Sequence, residues 1–236
     1  MMKYFRRFWL LYLVTALVFC AMAIGGNDVV STIAEAIPLE RRYVFVIDAG
    51  HGGEDGGAVS CSGVKESGIN LDIALRLNDM LHLLGAETVM IRKADVSVHT
   101  SGNSIGARKA SDLRERVRIV NSMENSILIS IHQNYFTQSQ YSGAQMFYND
   151  QAGAMELAKS LQDSFVSTIN RGSNRQSKEV DGIYLLENIH RPGILVECGF
   201  LSNPQEETLL RTGEYQKKIC CVIATTLVRL DYQTND

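Results

Sequence analysis

Apolar residues run along this chain in short blocks whose spacing switches repeatedly between strand and helix. Tyr43-Val44-Phe45-Val46-Ile47 is a continuous apolar, β-branched run, as expected of a strand buried on both faces. Ile69, Ile73, Leu77, Met80 and Leu84 then recur at helical spacing, and Gly85 follows as a C-terminal cap. Thr88 to Ile91 predicts a second strand, Lys93 to Ser111 a polar loop, and Leu113, Val117, Val120 and Met123 a second helix. Ile127–Ile131 and Ala144–Tyr148 predict further strands, and Met155, Ala158, Leu161, Phe165 and Ile169 a third helix. Ile183–Leu186 and Ile194–Val196 complete the expected strands. Pro204 opens a short helix in the position proline tolerates best, and Ile219, Ile223, Leu227 and Leu230 mark the last one. Strands alternating with helices predict an α/β fold: a three-layer αβα sandwich whose mostly parallel sheet of about six strands carries helices on both faces.

The first residues follow a different rule. Lys3, Arg6 and Arg7 precede an apolar run from Phe8 to Ile24 broken by Thr15 alone, with no acidic residue before Asp28. A basic flank before an apolar stretch reads as an export signal, and Ala21-Met22-Ala23 offers the small-x-small pattern of a cleavage site. The run also reaches the lower limit for crossing a bilayer, so residues 1–26 read as signal peptide or membrane anchor. Residues 27–42 then read as a linker, and residues 43–236 as the folded domain. The expected location is outside the cytoplasmic membrane, secreted or anchored.

Charge narrows the partners. The chain carries 23 Lys and Arg against 26 Asp and Glu; setting aside Lys3, Arg6 and Arg7 leaves 20 basic residues in the remainder. No basic footprint for a nucleic acid is present. Five cysteines, Cys20, Cys61, Cys198, Cys220 and Cys221, show no CxxC spacing, so a metal would not be held by sulfur. Cys220 and Cys221 lie in an apolar helical stretch and read as small core residues.

Three polar groups stand where buried strands run out. Ile47 is followed by Asp48-Ala49-Gly50-His51-Gly52-Gly53, Ile131 by His132, and Val196 by Glu197. Open α/β sheets bind ligands at the carboxyl ends of their strands, so these groups converge on a metal site or an acid/base cluster. Glu66, just before the helix near Ile69, is a fourth candidate. Two histidines, a carboxylate and one open position suit catalytic zinc, with the other carboxylate as general base. Each residue alone has a plainer reading as a cap, a core residue or a loop carboxylate. The glycine-rich loop does not fit GxGxxG, and Glu54 and Asp55 within it would repel a phosphate. His82, His99 and His190 read as residues outside the site.

Four ordered motifs carry a resemblance. Asp48-Ala49-Gly50-His51-Gly52-Gly53, Lys65-Glu66-Ser67, Ser130-Ile131-His132-Gln133-Asn134 and Val196-Glu197-Cys198-Gly199-Phe200-Leu201-Ser202-Asn203 resemble the N-acetylmuramoyl-L-alanine amidases of the amidase-3 type. The resemblance runs from about Tyr43 to Leu230. It implies a Zn2+ enzyme that separates the lactyl group of N-acetylmuramic acid from L-alanine of the stem peptide in peptidoglycan. It also implies His51, Glu66 and His132 as metal ligands and Glu197 as the catalytic residue. Gln133 and Cys198 depart from the family pattern without touching a ligand position. Ser101-Gly102-Asn103-Ser104 and Ser142-Gly143-Ala144-Gln145 look most like the CwlD-type, germination-specific branch, which implies a role in spore cortex and muramic δ-lactam formation. Arg116 matches a family arginine, although a solvated helix face explains it equally well. The competing readings are another zinc hydrolase of peptidoglycan, a peptidase or deacylase, and a non-catalytic wall-binding module. The expected partner is the peptidoglycan substrate, with membrane association through the N-terminus. No wall-binding repeat is present in the sequence, so targeting falls to the anchor, an accessory protein or the active-site groove, and the sequence does not show an accessory protein.

Overall fold

A computed structural model describes residues 43–233. The proposed export segment, residues 1–26, and the linker, residues 27–42, lie outside the described residues. Among the described residues no helix is long and apolar enough to cross a membrane.

Six strands, β1 (Val44–Ala49), β2 (Glu87–Met90), β3 (Ser126–Asn134), β4 (Gln145–Tyr148), β5 (Lys178–Glu179) and β6 (Gly193–Phe200), form one sheet in the order β2-β1-β3-β6-β4-β5. All neighbours pair in parallel except β4 with β6, which run antiparallel. The period-two alternation of side chains divides the core. Phe45, Ile47, Ile129, Ile131, Ile194 and Val196 face one way, where α1 (Glu66–Leu83), α3 (Ala154–Thr168) and α6 (Gly213–Gln233) cover them. Val46, Leu128 and Leu195 face the other way, beneath α2 (Ile105–Asn121) and α4 (Tyr184–Asn188). Each large apolar side chain buried here contributes about 1.5–3 kcal/mol before entropy is set against it. The second face is the less covered one. By the same alternation it also receives Asp48, His132 and Glu197.

Several boundaries differ from the sequence pattern. Helix α2 starts at Ile105 inside the expected loop, because Ser104 caps it by accepting a hydrogen bond from Ala107 N at 3.2 Å. Its first turns are polar, so hydrophobic spacing did not register them. The expected strand at Ile183–Leu186 is instead the short helix α4: Leu185 and Leu186 are buried beside Val46 and Leu195, and four apolar residues cannot distinguish the two geometries. The outer strand is β5, two exposed polar residues with no hydrophobic signature. Strands β3 and β6 continue past their apolar runs, so His132 and Glu197 lie within strands rather than after them.

Other features match the pattern. Gly85 adopts φ 82 just beyond α1, a conformation that costs glycine little. The short helix α5 (Pro204–Leu210) begins at proline, capped by Asn203, whose side chain accepts from the amides of Gln205 and Glu206. Cys220 is buried, but Cys221 is exposed, so only one of the adjacent cysteines belongs to the core.

Candidate metal centre

The structure brings three of the four sequence candidates into one cluster: ligand atoms of His51, Glu66 and His132 all lie within 4.8 Å of one another. His51 Nε2 is 3.2 Å from Glu66 Oε2, and His132 Nδ1 is 3.0 Å from Glu66 Oε1. A tetrahedral ion with ligand bonds of about 2.0–2.2 Å needs donor atoms roughly 3.3–3.5 Å apart. The donor set, two imidazoles and one carboxylate, therefore fits zinc in chemistry, and its atoms, all within 4.8 Å of one another, lie near the spacing such an ion needs.

Each of the three side chains is fixed by its own local structure. His51 follows β1 on a turn where it adopts φ 61, uncommon for a residue with a side chain. Asp55 accepts from its Nδ1 side at 3.0 Å, which turns Nε2 toward Glu66. Glu66 opens α1 and is 3 % exposed; Oε2 accepts from Ala58 N at 2.9 Å, and Oε1 from Gln133 N and Asn70 Nδ2 at 3.1 Å each. His132 comes from β3, with Gly50 pressed against its ring: a Cβ on Gly50 would meet His132 Nε2 at 2.2 Å. A Cβ on Gly57 would meet Glu66 Oε2 at 2.5 Å. Both glycines are space that the His132 and Glu66 side chains occupy.

Burial would raise the Glu66 carboxyl, but hydrogen bonds and charge from His132 and His51 outweigh it and hold the group far below the usual carboxylate range. Burial would lower the His51 imidazole, yet Glu66 and Asp55 raise it on balance. A cation entering the cluster would take the place of the proton that Glu66 and Asp55 favour on His51. Asp55 is held at about 2, where bonds from His51 and Lys109 overcome its desolvation.

Glu197 stands apart from this cluster. It is the register partner of His132 across β3 and β6, and it lines the same cavity of about 420 Å³ as His51 and His132. Its Oε2 is buried without a hydrogen-bond partner among the described residues. Burial pushes its carboxyl up to about 7, with His132 opposing and Glu66 adding to the shift. A carboxyl near neutrality with an uncommitted oxygen can take and return a proton.

Arg116 corrects the solvated-face reading: it is 2 % exposed. Its guanidinium pairs with Asp48 and, at 2.6 Å, with Asp112, and it donates to the carbonyls of Ala49 at 3.0 Å and His51 at 2.7 Å. Ser130 Oγ donates to the other Asp48 oxygen at 2.7 Å. Arg92, which the sequence reading passed over, donates to the carbonyls of Ala49, Gly50, Ser67 and Ala94. A basic residue directly after the Thr88–Ile91 run was the available signal. Between them, two arginines pin the turn that carries His51. Helix α4 was also missed; Ile183, Tyr184 and Leu185 line the cavity opposite Lys109 and Leu113. His82 and His190 are exposed and His99 half-buried, and none of the three joins the cluster. Of the two departures from the family pattern, Gln133 donates from Nε2 to Asn70 Oδ1 at 3.2 Å, and Cys198 is buried, which raises its thiol.

Comparison with known proteins gives one consistent answer. The N-acetylmuramoyl-L-alanine amidase family model, Amidase_3, matches residues 45–229. The germination-specific N-acetylmuramoyl-L-alanine amidase of Bacillus subtilis is 38% identical over 203 residues, spanning 85% of this chain and 84% of that protein. The CwlD amidase from Clostridioides difficile, solved in complex with the GerS lipoprotein, superposes with a TM-score of 0.77 at 35% identity, covering 82% of this chain and 99% of that one. A second amidase from Clostridium difficile 630 gives 0.71 at 28% identity, covering 82% and 100%. With its fold, its motifs and nearly all of its described residues matched, this chain belongs to the N-acetylmuramoyl-L-alanine amidase family.

Proposed function

We propose that this chain is a zinc-dependent N-acetylmuramoyl-L-alanine amidase acting on peptidoglycan, with His51, Glu66 and His132 as the zinc ligands and Glu197 as general base and acid. The observation that carries the reading is the pairing of a compact His, Glu, His donor set with a buried, partnerless Glu197 oxygen in one cavity. When bound, zinc supplies Lewis-acid polarisation of the scissile carbonyl and lowers the pKa of water toward 7. Glu197 takes a proton from the attacking water as its oxygen bonds to the lactyl carbonyl carbon. As the carbon–nitrogen bond breaks, Glu197 returns that proton to the departing nitrogen. The products are a muramoyl lactyl carboxylate and a peptide with a free alanine amine, so one water is consumed per bond. Asp55 keeps His51 turned toward Glu66, and Arg116 and Arg92 keep its backbone in place.

The finer assignment is to spore-cortex glycan, on the way to muramic δ-lactam. Its support is the similarity to the germination-specific Bacillus subtilis protein. The basic and apolar residues 1–26 support export and placement outside the cytoplasmic membrane, with the catalytic domain at 43–236. The complex of the CwlD relative with a lipoprotein supports an accessory partner for this chain as well.

The deciding experiment measures metal content and digestion products together. One zinc per chain and equal amounts of new alanine amino termini and muramoyl carboxylates are expected from purified glycan. Release of acetate, or new amino termini at residues other than that alanine, would replace the amidase with a deacylase or a peptidase.

A further inference from the structure

The sheet face that carries the site continues beyond Glu197. After a register shift between His132 and Asn134, β3 and β6 realign with Asn134 opposite Phe200. The extra residue on β6 is taken up by the bulge, so the interval equals the two steps from His132 to Asn134 on β3, and at about 3.3 Å per residue Phe200 lies roughly 7 Å along the sheet from Glu197. Three rings gather there: Phe136 is 5.7 Å from Phe200 and 5.5 Å from Tyr141, centroid to centroid. The guanidinium of Arg175 lies over the Phe200 ring, with Cζ 4.8 Å from the centroid.

Arg175 is half-buried and held by neutral groups. Its Nε donates to the Ser142 carbonyl at 2.8 Å and its Nη1 to Gln145 Oε1 at 3.2 Å. Gln145 is the register partner of Glu197 across β4 and β6. Opposed residues in such a pair have Cβ atoms about 4.5–5.5 Å apart, so the side chain that Arg175 touches is the immediate neighbour of Glu197. Arg175 makes no ion pair among the described residues. The carboxylate that feels its charge is Glu206, and both Glu206 oxygens are taken by backbone amides, Gly143 at 2.9 Å and Phe200 at 2.8 Å. The remaining N–H groups of the guanidinium form a planar fork braced on an aromatic ring, a geometry suited to bidentate capture of a carboxylate.

We propose that Arg175, stacked on Phe200, is a specificity residue that binds a free carboxylate on the peptide side of the scissile amide, on the residue next to the alanine. The choice of side follows from substrate chemistry. On the muramoyl side the lactyl carboxyl is itself the amide being cut, so a free carboxylate is available only along the peptide. Two residues of extended peptide reach about 7 Å, commensurate with the offset between Glu197 and the Phe200 platform. This inference rests on the amidase reading above and adds what the site selects.

The test uses the full-length chain loaded with zinc and two muramoyl peptides that differ in one group. The residue after alanine carries either a free α-carboxylate or the carboxamide. The wild type is expected to favour the acid by about tenfold or more in kcat/KM, expressed mainly in KM; a bidentate pair with a charged group is worth that much. Arg175→Gln should bring the ratio close to one, and Arg175→Lys, which keeps the charge without the fork, should give an intermediate ratio. Equal use of both substrates by the wild type, or a preference that survives in Arg175→Gln, would overturn the proposal and leave Arg175 as a brace for the segment at 142–145. Calorimetric binding of the acid and amide forms of the released peptide gives a second readout. If neither substrate is cleaved, the amidase reading fails, and the binding preference still decides the role of Arg175.

Discussion

His132 on β3 and Glu197 on β6 are register partners on adjacent parallel strands, and both side chains enter the same cavity. Their neighbourhood differs on the two sides. His132 faces Glu66 at 3.0 Å, whereas Glu197 Oε2 has no hydrogen-bond partner among the described residues. One strand pair therefore presents a group engaged in the donor cluster beside a group left uncommitted, and the two can be separated by substitution.

The ligands come first. His132→Ala removes one of three protein donors, and Glu66→Ala removes the carboxylate that offsets the ion's charge. Both are expected to abolish tight zinc binding while leaving the far-ultraviolet circular dichroism of an α/β fold, because the cluster lies at the end of the sheet. Zinc remaining near one per chain in His132→Ala, measured by mass spectrometry of the dialysed protein, would remove that residue from the ligand set.

The glycines beside the ligands make a sharper geometric test. Gly57 has φ 68, and a Cβ there would come within 2.5 Å of Glu66 Oε2 and 2.7 Å of His51 Cδ2. Gly57→Ala should weaken zinc binding by more than it destabilises the fold, because the displaced atoms belong to two ligands. An unchanged zinc dissociation constant would show that the ligands reposition freely.

Buried charge beneath the His51 turn sets the acid limit. Burial would raise the Asp48 carboxyl, but the Arg116 charge and the Ser130 hydrogen bond bring it below its ordinary value. A depressed carboxyl contributes stability that is present above its unfolded pKa of about 3.9 and is lost as pH falls through the folded value. Arg116→Leu leaves Asp48 and Asp112 without their cation and should cost about 3–5 kcal/mol at neutral pH, read as a lowered urea midpoint at constant m. Zinc affinity should fall as well, by roughly 10–100-fold, since the His51 carbonyl loses its donor. A variant as stable as the parent would mean that the network contributes nothing net.

The sequence was legible where one periodicity governs one element. Ile73 and Leu77 mark α1 because a helix covering a sheet carries one apolar stripe, and Phe45, Val46 and Ile47 mark β1 because a strand covered on both faces is apolar on both. The candidate residues were legible in combination: His132 and Glu197 interrupt apolar strand runs, His51 stands just after one and Glu66 opens a helix, and although each alone has a plainer reading, four motifs in order are specific. Lys178–Glu179 was not legible, since an exposed two-residue edge strand is defined by its hydrogen bonds to β4 and by nothing in its side chains. Tyr184–Asn188 was misread because its burial pattern is set by α2 and the sheet beneath it. Arg116 looked like a surface charge because its partner Asp48 is 68 residues away, a proximity the fold creates.

Glu197 yields the last prediction, because its environment fixes a titration as well as a rate. In the protein freed of metal, burial places its carboxyl at about 7. A dication bound within the His51, Glu66, His132 cluster would favour the ionised form, so adding zinc should lower that value. The acid limb of kcat/KM should accordingly fall below pH 7 and reflect loss of the base form of Glu197. Glu197→Gln keeps the shape and one hydrogen-bonding oxygen but cannot carry a proton. It should retain one zinc per chain, lose about 10²–10⁴-fold in turnover, and lose the acid limb with it. Carbon-13 NMR of labelled glutamate in the metal-free protein checks the starting value, and pH–rate profiles of parent and variant check the rest. Turnover within a few-fold of the parent with zinc bound would exclude Glu197 as the proton carrier. Loss of zinc would instead make it a ligand and move the base to Glu66.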